Sequence, residues 1–353
     1  MNVLMIGTAG PVAASLVRRL VADGQRLRAW SFDAPSAAVL RGLPVERVEG
    51  PLDDPEVVRS ALDGVERVFY LPGVERIWAP PGEALERSEV DAMECLLDGV
   101  DAGSVGRFVH VSSCATIAPL SKGRPATEEG GVERADHPVG FVARQVRMET
   151  RVLARASEGT PAVIANTGFA IGSEDWGPGV AGRWILQILR GEAPGIPAGG
   201  LNVVGAEGVA RGLQLVCESG RVGERYLLGG ENLDYRELAD RVAVIGDVAV
   251  PRRSISGPMA WAVGWVSEWL AQRGLNAEPT STAAWARHAS GFLYYSSEKA
   301  RSELGYEPGG LEGALEIAVR WFRRQGSAPD LPPRVRRRGF LGGRGDESPG
   351  ASA

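Results

Sequence analysis

Over the first half of the chain, short apolar runs alternate with longer stretches of helical periodicity. The runs fall at 3–6, 27–31, 45–49, 68–71, 108–112 and 162–166, each of a length suited to a buried strand. Between them, segments such as 12–22 and 83–100 place apolar residues on one helical face. That alternation predicts βαβ units and an α/β fold, a doubly wound parallel sheet with helices on both faces. After about residue 170 the rhythm changes. Helical patterns dominate at 182–189, 207–217, 235–244, 258–272 and 311–324, with short strands near 201–204 and 225–228. Residues 1–170 therefore read as one domain, with strands near 201–228 added back to it. Residues 171–200 and 229–325 read as a smaller C-terminal substrate lobe. From 326 onward the chain is rich in Pro, Gly, Arg and Ser, which predicts a disordered tail over 326–353.

Composition narrows the partners. With 353 residues, 24% charged and a net charge of −5, nothing in the overall charge suggests a nucleic-acid-binding protein. No apolar run reaches the roughly 18 residues of a membrane span. The most apolar stretch, 259–270, is interrupted by Gly264, Ser267 and Glu268. Within it Trp261, Trp265 and Trp269 recur every fourth residue, a stripe expected to pack in a core. Met1 leads directly into a strand pattern, so no leader is expected. Cys95, Cys114 and Cys217 are isolated, and His110, His137 and His288 show no metal-ligand spacing. A cytoplasmic protein without a metal is the expectation. Of 39 basic residues only Lys122 and Lys299 are lysines, so chemistry that needs an amine has two candidates.

The opening VLMIGTAGPVA carries the first ligand signal. A strand ends at Gly7, Gly10 follows, Ala13 holds a third small position, and Pro11 falls on the first turn of a helix. A strand, a glycine turn and a helix N-terminus form a pyrophosphate site: the backbone approaches closely and free N–H groups meet the anion. This predicts a Rossmann-like dinucleotide domain. The second strand ends at Ser31, with Asp33 two residues on. An acid there would select NAD, whereas Ser31 tolerates the extra phosphate of NADP, which gives NADP a slight preference.

The chain resembles the extended short-chain dehydrogenase/reductases, in particular dihydroflavonol-reductase-like and hopanoid-associated sugar-epimerase-like proteins. The glycine loop, RFVHVSS at 107–113, GERYLLGGENL at 223–233 and SSEKARSELGYEP at 296–308 carry the resemblance. It implies NAD(P) on the sheet, with the adenine near Pro51 and Leu52, and a homodimer formed through the helices at 83–100 and 139–156. Family chemistry implies a Ser with a Tyr-x-x-x-Lys pair, in which the Lys holds the nicotinamide ribose and lowers the Tyr pKa. Ser113 matches the Ser. In PVGFVARQVRMET, Glu149 sets the register, so Phe141 stands for the Tyr and Gln145 for the Lys. Tyr295 and Lys299 repeat the spacing, but in a late segment suited to helix and capping roles. Asn166-Thr167-Gly168 replaces the usual Arg-Pro-Gly, and Leu71-Pro72-Gly73 the usual small-residue run.

Tyr70, at the end of the fourth strand, and His137, before the altered helix, are candidates for the missing proton donor. Their simpler readings are a packed aromatic and an exposed loop histidine. Cys114 borders the substrate pocket or faces the core opposite Ser113. His110 reads as a buried, hydrogen-bonded histidine. Trp176, in a glycine-rich loop, suggests an aromatic wall for an apolar or aromatic small molecule. Three functions follow: an atypical NAD(P)H-dependent reductase or dehydrogenase, a redox-neutral isomerase, cyclase or lyase, and a non-catalytic dinucleotide sensor.

Overall fold

The computed structural model describes the chain except residues 32–33, 73–84, 121–123, 276–278, 280 and 330–353. Its first part runs β1 (Asn2–Ile6), α1 (Gly10–Ala22), β2 (Arg26–Trp30), α2 (Ala34–Val39), β3 (Glu46–Val48), α3 (Pro55–Leu62), β4 (Arg67–Tyr70), α4 (Leu85–Ala102), β5 (Arg107–Ser113), α5 (Gly140–Ser157) and β6 (Ala162–Thr167). The second part continues β7 (Phe169–Ile171), α6 (Val180–Arg190), β8 (Ile196–Pro197), β9 (Gly200–Gly205), α7 (Ala206–Ser219), β10 (Arg225–Leu228), β11 (Glu231–Asp234) and α8 (Tyr235–Gly246). It ends with β12 (Ser254–Ile255), α9 (Gly257–Gln272), α10 (Ala283–Ala289), β13 (Phe292–Leu293), α11 (Glu298–Leu304) and α12 (Leu311–Arg324).

Seven strands form one sheet in the order β10-β6-β5-β4-β1-β2-β3, and every neighbouring pair is parallel. The order reverses beside β1, which opens a crevice at the carboxyl ends of the strands, where ligands bind in such sheets. β5 and β6 are interior strands, buried along nearly their whole length, so they read as apolar runs rather than alternating ones. One core joins the sheet to α1 and α7 through residues such as Leu16, Val17 and Val209. A second lies on the opposite face under α3, α4 and α5, around Val58, Leu96 and Met148.

The strand at 225–228 is the seventh strand of this sheet. The strand at 201–204 instead centres a second sheet, in which β9 pairs with β7, β11 and β13. A third core joins this small sheet to α6, α8 and α12. The folded chain also extends past 326, where composition predicts a disordered tail. Ala328 is buried in the third core, and Ser327 O accepts a bond from Arg190 Nε at 2.8 Å. The remainder of the expected tail, 330–353, lies outside the described residues.

One expectation of the hydrophobic pattern is reversed. The tryptophan stripe of α9 faces outward: Trp261, Trp265 and Trp269 are 41%, 52% and 39% exposed. Only Gly264 and Ala271 of α9 are buried. A Cβ at Gly264 would lie 2.5 Å from the Thr282 carbonyl carbon, so the helix meets the segment leading into α10 along its small residues. Tryptophan is too bulky for that close contact and takes the other face.

Candidate active site

The main cleft lies over the carboxyl ends of β1, β4, β5 and β6. At one end the first turn of α1, from Gly10 to Ala13, lines it. Gly7 and Gly10 both hold positive φ, +82° and +85°, where side chains are strained. Gly7 lies beneath the lining. A Cβ there would stand 1.9 Å from Leu71 O, so this glycine lets the ends of β1 and β4 close together. At Gly10 a Cβ would meet nothing within 4 Å, which leaves space in front of the helix. Ala9, the N-cap of α1, offers no side chain to its amides. Those amides and the helix dipole suit a pyrophosphate.

Ser31 follows β2 and is partly buried, while Asp33 lies outside the described residues. Leu52 is buried in the core beneath α3 and does not line the cleft. The loop 172–179 borders the pyrophosphate end. Glu174 pairs with Arg18 of α1, and Gly177 packs on Pro35. Asp175 lines the cleft from this loop. Its carboxylate accepts the Gly179 amide, and burial pushes its pKa up to about 6. No motif in the sequence marked Asp175, because only the fold turns this loop back over α1.

The other end collects Ser113, Cys114, Phe141, Gln145 and Thr167. Ser113 ends β5, and its Oγ accepts the Ala115 amide at 3.3 Å. Its own proton stays available to an oxygen in the cleft. Because the chain turns into a 3-10 helix at Cys114, strand alternation stops. Cys114 therefore lines the cleft beside Ser113 while also touching the third core. Phe141 leans on Trp285, with ring centroids 5.7 Å apart. The Gln145 carbonyl oxygen is buried and has no hydrogen-bond partner among the described residues.

Phe141, Gln145 and Glu149 follow one another by four residues, so one face of α5 presents all three inward. Glu149 is fully buried. It pairs with Arg225 Nε at 2.8 Å. Its Oε1 accepts Ser112 Oγ at 2.6 Å, Thr116 Oγ1 at 2.8 Å and Asn166 Nδ2 at 2.7 Å. Asn166, standing where the related pattern has an arginine, is thereby part of the anchor that ties α5 to the ends of β5 and β6.

The remaining candidates are placed elsewhere. Tyr70 is 4% exposed and belongs to the core under α4; its ring stacks on His110 at 5.7 Å. Burial raises its pKa further above the ordinary phenol value. β4 directs it into that core, and it does not line the cleft. His110 is buried as expected, but among the described residues neither ring nitrogen has a hydrogen-bond partner, and burial drives its pKa down to about 3. Trp176 does not wall the cleft. It meets Trp321 of α12 edge-on, at 5.3 Å, and its neighbours Asp175 and Gly177 line the cleft instead. Tyr295 does line the cleft, but its hydroxyl donates to Ile117 O at 3.2 Å. Lys299 is bound to Glu224 and to Arg225 O, each at 2.8 Å. The late Tyr-x-x-x-Lys spacing thus forms no pair.

His137 sits outside the cleft lining, its ring 5.0 Å from that of His288, which in turn packs on Trp285. Glu133, His137 and His288 hold possible ligand atoms within 4.8 Å of one another, a grouping that no sequence spacing shows. His137 Nδ1 accepts the Val139 amide at 3.1 Å. Its Nε2 therefore carries the proton and faces Glu133 at 4.0 Å, which suits a hydrogen-bonding imidazole better than a metal ligand.

A seven-stranded parallel sheet, a glycine turn feeding a helix at its carboxyl edge, and a cleft shared with a C-terminal lobe define an extended dehydrogenase/reductase of the Rossmann type. The chain belongs to the NAD dependent epimerase/dehydratase family, whose model matches residues 3–229. A putative dihydroflavonol 4-reductase of Synechocystis is 28% identical over 91% of this chain and 94% of its own. Sterol demethylase protein B of Methylococcus capsulatus is 28% identical over 92% of this chain and 99% of its own. The crystal structure of gox2253 superposes with a TM-score of 0.81 at 32% identity, covering 93% of this chain and 99% of its own. No helix among the described residues is long and apolar enough to cross a membrane.

Proposed function

We propose that this chain is an NAD(P)H-dependent reductase or dehydrogenase acting on a carbonyl or alcohol of an apolar, lipid-like or aromatic substrate, and that it works without the Tyr–Lys relay. The unpartnered Gln145 oxygen at the inner end of the cleft carries the reading. A buried carbonyl without a donor is costly, and a ribose hydroxyl would supply that donor where the related enzymes use lysine. The glycine turn and the open amides of α1 would hold the pyrophosphate. Ser31 favours NADP. A nicotinamide held there would supply or accept the hydride.

Ser113 donates its hydroxyl proton as a hydrogen bond to the substrate oxygen and orients the carbonyl. Phe141 and Trp285 exclude water from one side and pack against apolar substrate atoms. Leu201, Leu293 and Tyr235 continue that apolar wall. Because Phe141 has no proton to give, the proton comes from water admitted to the cleft. The names of the two curated relatives, a reductase and a sterol-modifying protein, support a fused-ring or lipid-like substrate. No disulfide links the cysteines among the described residues, which suits the cytoplasm, and α4 with α5 offers the surface for a homodimer.

Fluorescence titration with NADPH and NADH tests the cofactor half. Binding is expected, tighter for NADPH, and Gln145→Ala should weaken it by about tenfold, one hydrogen bond's worth. Absence of binding to either nucleotide removes the reading. NADPH consumption with hydrophobic ketones tests the chemistry, and the double variant Phe141→Tyr with Gln145→Lys should raise it. One observation favours a redox-neutral reaction: carbon fills the place of the proton donor, where Phe141 packs on Trp285. Product formation without NADPH consumption would establish that alternative. Binding with no turnover would indicate a sensor.

A further inference from the structure

α9 is apolar on nearly every face and yet stands at the surface. Met259 is 57% exposed, Val263 50%, Trp265 52% and Val266 47%. At 100° per residue, its exposed positions span about 200° of the helix. Over that arc Gln272 is the one polar side chain. Leu275, just beyond, is 69% exposed. A contiguous apolar surface of this kind marks a partner.

The charges around it identify the partner's chemistry. Between 248 and 293 the charged side chains among the described residues are Arg252, Arg253, Arg273, Arg287 and one acid, Glu268. The four arginines are exposed. Arg252 and Arg253 precede α9, Arg273 follows it, and the Arg273 guanidinium lies over the Trp269 ring, 3.9 Å from its centroid. Glu268 is turned inward, where its carboxylate accepts the Ala283 amide at 3.1 Å. The outer face thus combines three tryptophans, aliphatic side chains and a cationic rim in a protein whose net charge is −5.

We infer that α9 is a membrane-docking helix that lies in the headgroup region of an anionic lipid surface. Tryptophan favours that interface, arginine meets the lipid phosphates, and the aliphatic residues reach the acyl boundary. At 16 residues the helix is too short to span and lies along the surface. A two-fold contact between copies would set the same basic rim against itself. α10, packed on α9, carries Trp285 into the cleft. One helix therefore separates the lipid surface from the substrate site.

Flotation of the full-length protein with phosphatidylcholine vesicles, with and without phosphatidylglycerol, tests the assignment. The wild type should float with the anionic vesicles and much less with the neutral ones. Brominated acyl chains should quench its tryptophan emission. Trp265→Glu should lower the bound fraction at least about tenfold, and Arg252→Glu with Arg253→Glu should remove the preference for anionic lipid. All variants keep the arginine-rich 334–338 segment. Undiminished binding of Trp265→Glu would overturn the assignment, as would failure of the wild type to float. A wild-type dimer that Trp265→Glu converts to monomer, without quenching by brominated lipid, would assign the face to a second copy instead. An unchanged melting temperature shows that the variants fold.

Discussion

Two helices carry the same spacing and use it in opposite ways. On α5, Phe141, Gln145 and Glu149 recur every fourth residue and all three are buried. On α9, Trp261, Trp265 and Trp269 recur at the same interval and all three are exposed. Periodicity defines a face of a helix but does not say what the face meets. What decides is the rest of the circumference. Beside its inward stripe α5 carries arginines that pair with α4, Arg144 with Glu89 at 2.8 Å, Arg151 with Glu94 at 3.4 Å and Arg155 with Asp98 at 2.5 Å. α9 has no charged face to present to water, so its small residues take the close contact with α10 and the large ones are left outside.

The sharpest way to break this contrast is at Glu149. Glu149→Ala leaves Arg225 without its carboxylate and removes an acceptor from Ser112, Thr116 and Asn166. It should cost about 3–5 kcal/mol, read as a lowered denaturant midpoint. Loss below about 1 kcal/mol would show that the anchor is dispensable. Asp175 comes next. The folded chain holds its proton up to about pH 6, against 3.8 for the ordinary group. Stability should therefore fall as pH rises through that window, by at most roughly 3 kcal/mol. Asp175→Asn should flatten the profile, and an unaltered pH dependence would rule this group out as its source. Gly264→Ala should then cost about 1–3 kcal/mol by forcing α9 off the segment before α10, measured by thermal melting. The smallest effect belongs to Trp265→Glu, within about 0.5 kcal/mol of the wild type. A larger loss would mean that the stripe supports the fold after all.

Much of the fold was legible because parallel strands buried on both faces are written as apolar runs. β10 and α12 lie at their expected bounds, and the glycine turn led into α1. The placement of β9 was not legible, since pairing in a second sheet leaves no local mark on a short apolar run. The site was legible where it rests on α5, because Glu149 set the register that put Phe141 and Gln145 in the cleft. Tyr70 and Trp176 show the limit. Each stands near the cleft along the chain, yet backbone direction turns Tyr70 into a core and the contact with Trp321 draws Trp176 aside. Asp175 and the Glu133–His137–His288 group were invisible because segments remote in sequence assemble them.

The Glu149 anchor separates position from chemistry. With four partners it holds α5 in a single register, and the residues one and two turns upstream take no part in that hold. Side chains at 141 and 145 should therefore be exchangeable with little movement of the backbone that presents them. Such a socket should accept a phenol and an ammonium in place of the phenyl ring and the amide in two substitutions.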